Sequence, residues 1–305
     1  MVKIAIAGAS GNFAQEITDA LVATKKHELV LLSRKNTPPA RLEPGVTWVQ
    51  TDYSDAADLA AKLRGVHTVL SFIVVHLDAD NASQKCLVDA AVRARVKRLA
   101  PSEWATSSFE HMDWYAGKGV LEYSLFQPGL LTNYLAYPLH TTKHITPIQT
   151  PFDFANRRVL AVEREDGLDG RITLTTMQDI ANVVVRAVEF EGEWPVVGGI
   201  KGTELTVGQV VSLGEQIRGG PFTVGRLRPR DLEAGDIEAS WIPAAGHPAF
   251  SPEEFKAMAG KLLGGMVLGI SAGALNVTDE WNRLLPDYTF TGAQEFLQDA
   301  WRGKP

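Results

Sequence analysis

Gly8-Ala9-Ser10-Gly11-Asn12-Phe13-Ala14 stands between an apolar run, Lys3 to Ala7, and a segment of helical periodicity, Asn12 to Thr24. A glycine turn in that context brings backbone N–H groups and the positive end of a helix dipole against a phosphate. Gly8 suits the tight turn, Gly11 leaves room for a pyrophosphate to approach the backbone, and Ala14 lets the helix pack closely on the strand. The spacing departs from G-x-G-x-x-G, so the strand before the turn and the helix after it carry the inference. A second strand reads to Leu32, and Ser33-Arg34-Lys35 follows where an acid would otherwise hold the ribose hydroxyls of NAD. Arg34 can pair with a 2′-phosphate and stack on adenine, and Lys35 adds a point charge, so the tip predicts NADP(H) in preference to NAD(H).

Other reactive side chains carry less. His76, His111, His140, His144 and His247 lack the Cys or carboxylate spacing of a metal site, so no metal is expected. His140 and His144, four apart in a Thr-rich stretch, read as exposed or capping groups that could also face a substrate. There is no G-x-S-x-G elbow, and Ser102, which follows a strand without a placed base, reads as a hydroxyl on the cofactor side. Cys86 is the single cysteine; in a helical segment it reads as a small buried hydrophobe, with no disulfide to form.

These groups need a scaffold, and the first half supplies one. Short apolar runs at Lys3 to Ala7, Leu29 to Ser33, Thr47 to Thr51, Thr68 to Val74, Val96 to Ala100 and Leu121 to Phe126 alternate with helical patterns at Asn12 to Thr24, Ala56 to Leu63 and Ala79 to Arg95. That rhythm predicts an α/β, Rossmann-type, doubly wound parallel sheet. After Pro128-Gly129 the pattern loosens and prolines punctuate it; a helix begins near Thr176-Met177 with Val183, Val184, Ala187 and Val188 on its apolar side. The expected division is a nucleotide-binding domain over 1–135 and a smaller substrate lobe over 136–305, with about 170–215 returning to the first domain.

Composition narrows the partners. With 305 residues, 45% hydrophobic and a net charge of -6, the chain can bury a substantial core, and no contiguous basic patch suggests nucleic acid or an anionic membrane. The N-terminal residues read as a strand rather than a signal peptide, and Leu262 to Ala274 is short of the ~18 apolar residues of a span. A cytoplasmic protein with a small hydrophobic molecule as partner is the expectation.

Val96-Lys97-Arg98-Leu99-Ala100-Pro101-Ser102-Glu103-Trp104, Leu121-Glu122-Tyr123-Ser124-Leu125-Phe126-Gln127-Pro128-Gly129 and Asp279-Glu280-Trp281-Asn282-Arg283-Leu284-Leu285-Pro286 complete a pattern with the glycine turn and the Ser33-Arg34-Lys35 tip. Together they resemble the NmrA-like and isoflavone-reductase-like group of atypical short-chain dehydrogenases, in particular its fungal oxidoreductase-like members. The resemblance implies a Rossmann domain holding NADP(H), and a C-terminal lobe closing over an aromatic or polyketide-like substrate. It implies cofactor contacts from Gly8, Ser10, Gly11, Asn12, Phe13, Arg34, Lys35, Ser71, Phe72, Ser102, Glu103, Gln127, Pro128 and Gly129. It also implies one catalytic lysine, Lys118, which would hold the nicotinamide ribose and assist proton transfer. Tyr115 lies three residues before Lys118, one short of the Tyr-x-x-x-Lys of ordinary short-chain dehydrogenases, and is not assigned as the acid. Only Gly119 separates Lys118 from the apolar run at Val120, so any helix carrying that lysine is short. The implied activity is NADPH-dependent reduction of a hydrophobic carbonyl, enone or benzylic ether by a monomer or homodimer; the alternative is an NADP(H)-binding redox sensor without turnover.

Overall fold

The computed structural model describes residues 1–38, 42–74, 77–106, 121–235, 237, 239–243 and 252–304, with backbone alone for 252–258. They form two compact units, the first built from Met1–Trp104, the stretch ending at Phe126 and the returning segment Ala181–Gly198. The second is chiefly Gln127–Ile180 and the chain from Gly199 onward.

Six strands make the sheet of the first unit: β1 (Lys3–Ala7), β2 (Glu28–Ser33), β3 (Val46–Gln50), β4 (Thr68–Ser71), β5 (Arg98–Ala100) and β6 (Glu122–Tyr123), in the order β3-β2-β1-β4-β5-β6. Every neighbouring pair is parallel. The chain works outward from β1 to β3 and then returns to β4 on the other side of β1, so the strand order reverses between β1 and β4. Right-handed crossovers place α1 (Asn12–Thr24) on one face and α2 (Ala56–Lys62) and α3 (Ala82–Arg93) on the other.

The side-chain alternation of β1 divides the core accordingly. Ala5 and Ala7 pack with Leu59 and Leu63 of α2 and Leu87 and Val88 of α3. Ile4 and Ile6 point the other way and are fully buried, as are Ala14 and Ile17 of α1. Each such Leu or Ile contributes about 1.5–3 kcal/mol by leaving water.

The run Leu121 to Phe126 breaks at Ser124. β6 joins the sheet, while β7 (Leu125–Gln127) leaves it, with the Leu125 N–H donating to the Val196 carbonyl at 2.9 Å. β4 likewise stops at Ser71 rather than Val74, since the last sheet bond there is from Phe72 N–H to the Ala7 carbonyl.

The second unit holds two three-stranded sheets. β8 (Leu130–Leu131), β11 (Arg171–Thr175) and β12 (Thr203–Thr206) form one, and β9 (Phe152–Asp153), β10 (Arg158–Val162) and β13 (Thr223–Leu227) the other. Phe152, Phe154, Ile172, Leu174, Val210 and Trp301 share its core. The buried Asp179 carboxylate gathers the Thr176 and Tyr288 hydroxyls at 2.7 Å and the Thr291 N–H at 3.1 Å, fastening the segment near the C-terminus. Among the described residues no helix is long and apolar enough to cross a membrane.

Candidate dinucleotide-binding site

In a parallel sheet all strands end at one edge, and a ligand is expected there at the point of reversal. The glycine turn occupies that point. Gly8 has φ 72°, and a Cβ on it would lie 2.6 Å from the Phe72 carbonyl oxygen, so both conformation and space demand glycine. Gly11 is the N-cap of α1, extended at φ -77°, and brings no side chain to cap the helix; the first turn also contains no acid. Gln15 pins the turn from within α1, its Nε2 donating to the Ser10 carbonyl at 3.2 Å.

A side chain that sequence reasoning missed holds the turn from below. The Tyr53 hydroxyl accepts the Gly8 N–H at 2.8 Å and donates to the Leu32 carbonyl at 2.8 Å, so one phenol ties the end of β1 to the end of β2. Tyr53 is 3% exposed, and burial pushes its pKa up to about 12. It sits just beyond β3 with φ 61°, and no periodic pattern marks such a position.

At the β2 tip, Arg34 donates from its guanidinium to Ser83 Oγ at 2.9 Å and lies 5.9 Å from the centre of the Tyr53 ring. Ser83 is at the start of α3, where the Asp78 carboxylate accepts the N–H groups of Ser83 and Gln84 at 2.9 and 3.0 Å. Burial works to raise the Asp78 pKa, but those N–H bonds and the Arg34 charge outweigh it and hold the carboxyl below its ordinary value. Asp78 is thus held chiefly by backbone. Lys35 is exposed, with its N–H on Ser33 Oγ at 3.1 Å.

The β4 and β5 tips carry rings. Phe72 stacks on Trp104 with centroids 4.7 Å apart, Phe13 approaches both at 5.5 and 5.6 Å, and Trp104 stacks on Phe126 at 5.0 Å. Trp104 Nε1 is anchored on the Ser71 carbonyl at 2.7 Å. The Ser71 hydroxyl donates to Gln84 Oε1 at 2.7 Å, and the residue is fully buried. Ser102 and Glu103 follow in a tight turn, half-buried, with the Glu103 N–H on the Pro101 carbonyl.

Gly8 to Glu103 therefore come together at one edge of the first unit. Gln127, Pro128 and Gly129 belong mainly to the second: Gln127 is buried with no partner for Oε1 among the described residues, Pro128 accepts from Thr175 Oγ1 at 2.7 Å, and Gly129 has φ 72° with Thr173 too close for any side chain. Lys118 and Tyr115 lie outside the described residues, as do His76, His111 and His247. Cys86 is half-buried, and burial raises its thiol pKa. No group of three His, Cys, Asp or Glu side chains suited to a metal occurs among the described residues.

A strand order reversing beside a capless helix and a glycine cradle defines a Rossmann-type nucleotide-binding domain. The NmrA-like family matches residues 2–224, and the chain belongs to that family. It is 29% identical over 238 residues to "Oxidoreductase BOA1" of Botryotinia fuckeliana, covering 72% of this chain and 77% of that protein. In fold it is similar to the NADPH-dependent quinone oxidoreductase QOR2 of Escherichia coli solved with NADPH, with TM-score 0.70, 23% identity and coverage of 98% and 100% of the two chains. It is also similar to the Citrobacter sp. triphenylmethane reductase solved with NADP(H), with TM-score 0.68, 15% identity and coverage of 98% and 99%.

Proposed function

We propose that the protein is an NADPH-dependent reductase of a hydrophobic carbonyl, enone or benzylic ether carried by an aromatic or polyketide-like molecule. The observation that carries this reading is the joint placement, at one sheet edge, of the Gly8–Gly11 cradle under a capless helix and of Arg34 steadied by Ser83. The first suits a pyrophosphate and the second a 2′-phosphate. The relative from Botryotinia fuckeliana is named an oxidoreductase, and the two structural neighbours are an NADPH-dependent quinone oxidoreductase solved with NADPH and a triphenylmethane reductase solved with NADP(H).

When bound, the reduced nicotinamide supplies a hydride to the electrophilic carbon. The protein's part is to hold and orient the reactants and deliver a proton. Gly8, Ser10, Gly11, Asn12 and Phe13 present the cradle and the helix terminus; Arg34 and Lys35 meet the 2′-phosphate; Phe72, Ser102 and Glu103 line the neighbouring tips, with Gln127, Pro128 and Gly129 assigned by family resemblance, as is Lys118. The Lys118 ammonium gives its proton to the substrate oxygen as the carbon receives hydride, and is reprotonated from water.

Titration with NADPH and NADH by calorimetry tests the cofactor. A charge-assisted phosphate contact of ~1.5–3 kcal/mol predicts a preference of roughly tenfold to a hundredfold for NADPH, largely lost in Arg34→Ala. Equal affinities refute the assignment. Oxidation of NADPH with a panel of quinones, enones and aryl ketones tests the reaction, and tight binding with no turnover across that panel would replace the reductase with a sensor.

A further inference from the structure

The opposite edge of the same sheet, where the strands begin, holds a cavity of about 730 Å³ that the dinucleotide reading leaves unexplained. Parallel pairing gathers there the residues that precede each strand. Lys25, Lys26 and His27 come just before β2, His67 just before β4, and Lys97 just before β5, whose first residue is Arg98; all six line the cavity. In sequence they are three scattered pieces of an acidic chain, and no contiguous basic patch announces them. In the fold they face two carboxylates of the lining, Glu189 and Glu191.

Some of this charge is committed. Lys26 and His27 Nε2 meet Glu189 at 2.9 and 3.1 Å, and Arg98 is bound to Glu122 and to the carbonyls of Phe190 and Gly192. Lys25 and Lys97 are exposed and have no ion-pair partner among the described residues. The His27 side chain is 3% exposed, and its buried Nδ1 has no hydrogen-bond partner among the described residues. Burial and then the Arg98 and Lys97 charges lower the His67 pKa, as a cation-rich wall requires. Val2, Val188 and Phe190 give the same cavity an apolar side.

We infer that this cavity is a second ligand site, distinct from the dinucleotide edge, for a small molecule that joins a phosphate or carboxylate group to an apolar body. It is an open cleft whose volume falls in the range of small-molecule sites. Lys25 and Lys97 take the anionic group, and His27 and His67 lie on the wall beside it. The apolar side takes the body. The inference does not rest on the proposed reduction, because it uses residues at the opposite ends of the strands.

Carbon-13-labelled histidine rings of the whole protein report the site directly by NMR, titrated with phenyl phosphate, phenylacetate and phenol. Saturable movement of the His27 and His67 signals with phenyl phosphate, with phenylacetate or with both is the expected result, and which anion acts tells phosphate from carboxylate. Phenol should move them at least tenfold more weakly. Lys25→Glu with Lys97→Glu should weaken the anion at least tenfold while leaving dinucleotide affinity unchanged; should that variant fold poorly, the Lys25→Gln, Lys97→Gln pair replaces it with a smaller loss of the same sign. No saturable shift with either anion, equal response to phenol, or binding indifferent to the lysine changes overturns the proposal.

Discussion

Tyr53→Phe removes one oxygen from a buried position and little else. The ring is 3% exposed and phenylalanine retains it, so no cavity larger than a hydroxyl opens. The hydroxyl bridges the Gly8 N–H and the Leu32 carbonyl, each at 2.8 Å. The two sides of that bridge lose unequally. The Leu32 carbonyl also accepts the Ala9 N–H at 3.1 Å and keeps that partner, whereas the Gly8 N–H is left with none among the described residues. An unanswered buried donor costs ~1–3 kcal/mol, and because Gly8 is half-buried the lower part of that range, about 1–2 kcal/mol, is expected. Urea unfolding followed by circular dichroism should show the transition at lower urea with its slope unchanged. Dinucleotide affinity should fall as well, because the same phenol fixes the turn that meets the pyrophosphate. A variant within ~0.5 kcal/mol of wild type, with unchanged affinity, would refute the account of Tyr53 as the strut under the turn.

Gly8→Ala forces a side chain onto a backbone with φ 72° and 2.6 Å from a carbonyl, so a loss of ~2 kcal/mol or more in unfolding free energy is expected. Gly11→Val stands on an ordinary φ, where the first atom meets only the Gly8 carbonyl at 3.3 Å; the fold should survive with nucleotide binding lost, which calorimetry on the folded variant checks. Alkaline stability follows from Tyr53 and Tyr134, both pushed from 10.0 to about 12 by burial. Their contribution is whole below pH 10 and disappears as pH rises toward 12, so unfolding free energy should decline across that window, with a shallower decline in Tyr53→Phe. Lys118→Ala should lower kcat by ~10²–10⁴-fold with far less effect on NADPH affinity, measured by steady-state oxidation beside calorimetry.

The sheet was legible because its signals are local. Strand, turn and helix follow one another along the chain, and α1 begins at Asn12 and ends at Thr24, as the periodicity requires. The position of Arg34 was legible for the same reason: the residue after β2 lies at the C-terminal edge whatever the rest of the chain does. Tyr53, Ser83 and Trp104 were not, since their work depends on which distant backbone or ring each one meets. The inward turn of the Ser71 hydroxyl was illegible for the same reason, since it depends on α3 placing Gln84 within reach.

The basic cavity follows from the same topology. A parallel sheet makes the residues after strands into one neighbourhood and the residues before strands into another, and only the first is announced by glycines. Lys25-Lys26-His27, His67 and Lys97-Arg98 resemble solvated loop charges when taken one at a time, and the net charge of -6 argues against looking for a cationic site at all. Net charge averages over the surface, whereas a ligand responds to the potential at one place. Once the strand order is known, the positions before β2, β4 and β5 fall on the same edge. Their shared basic character then becomes a property of the edge, which no single segment could display.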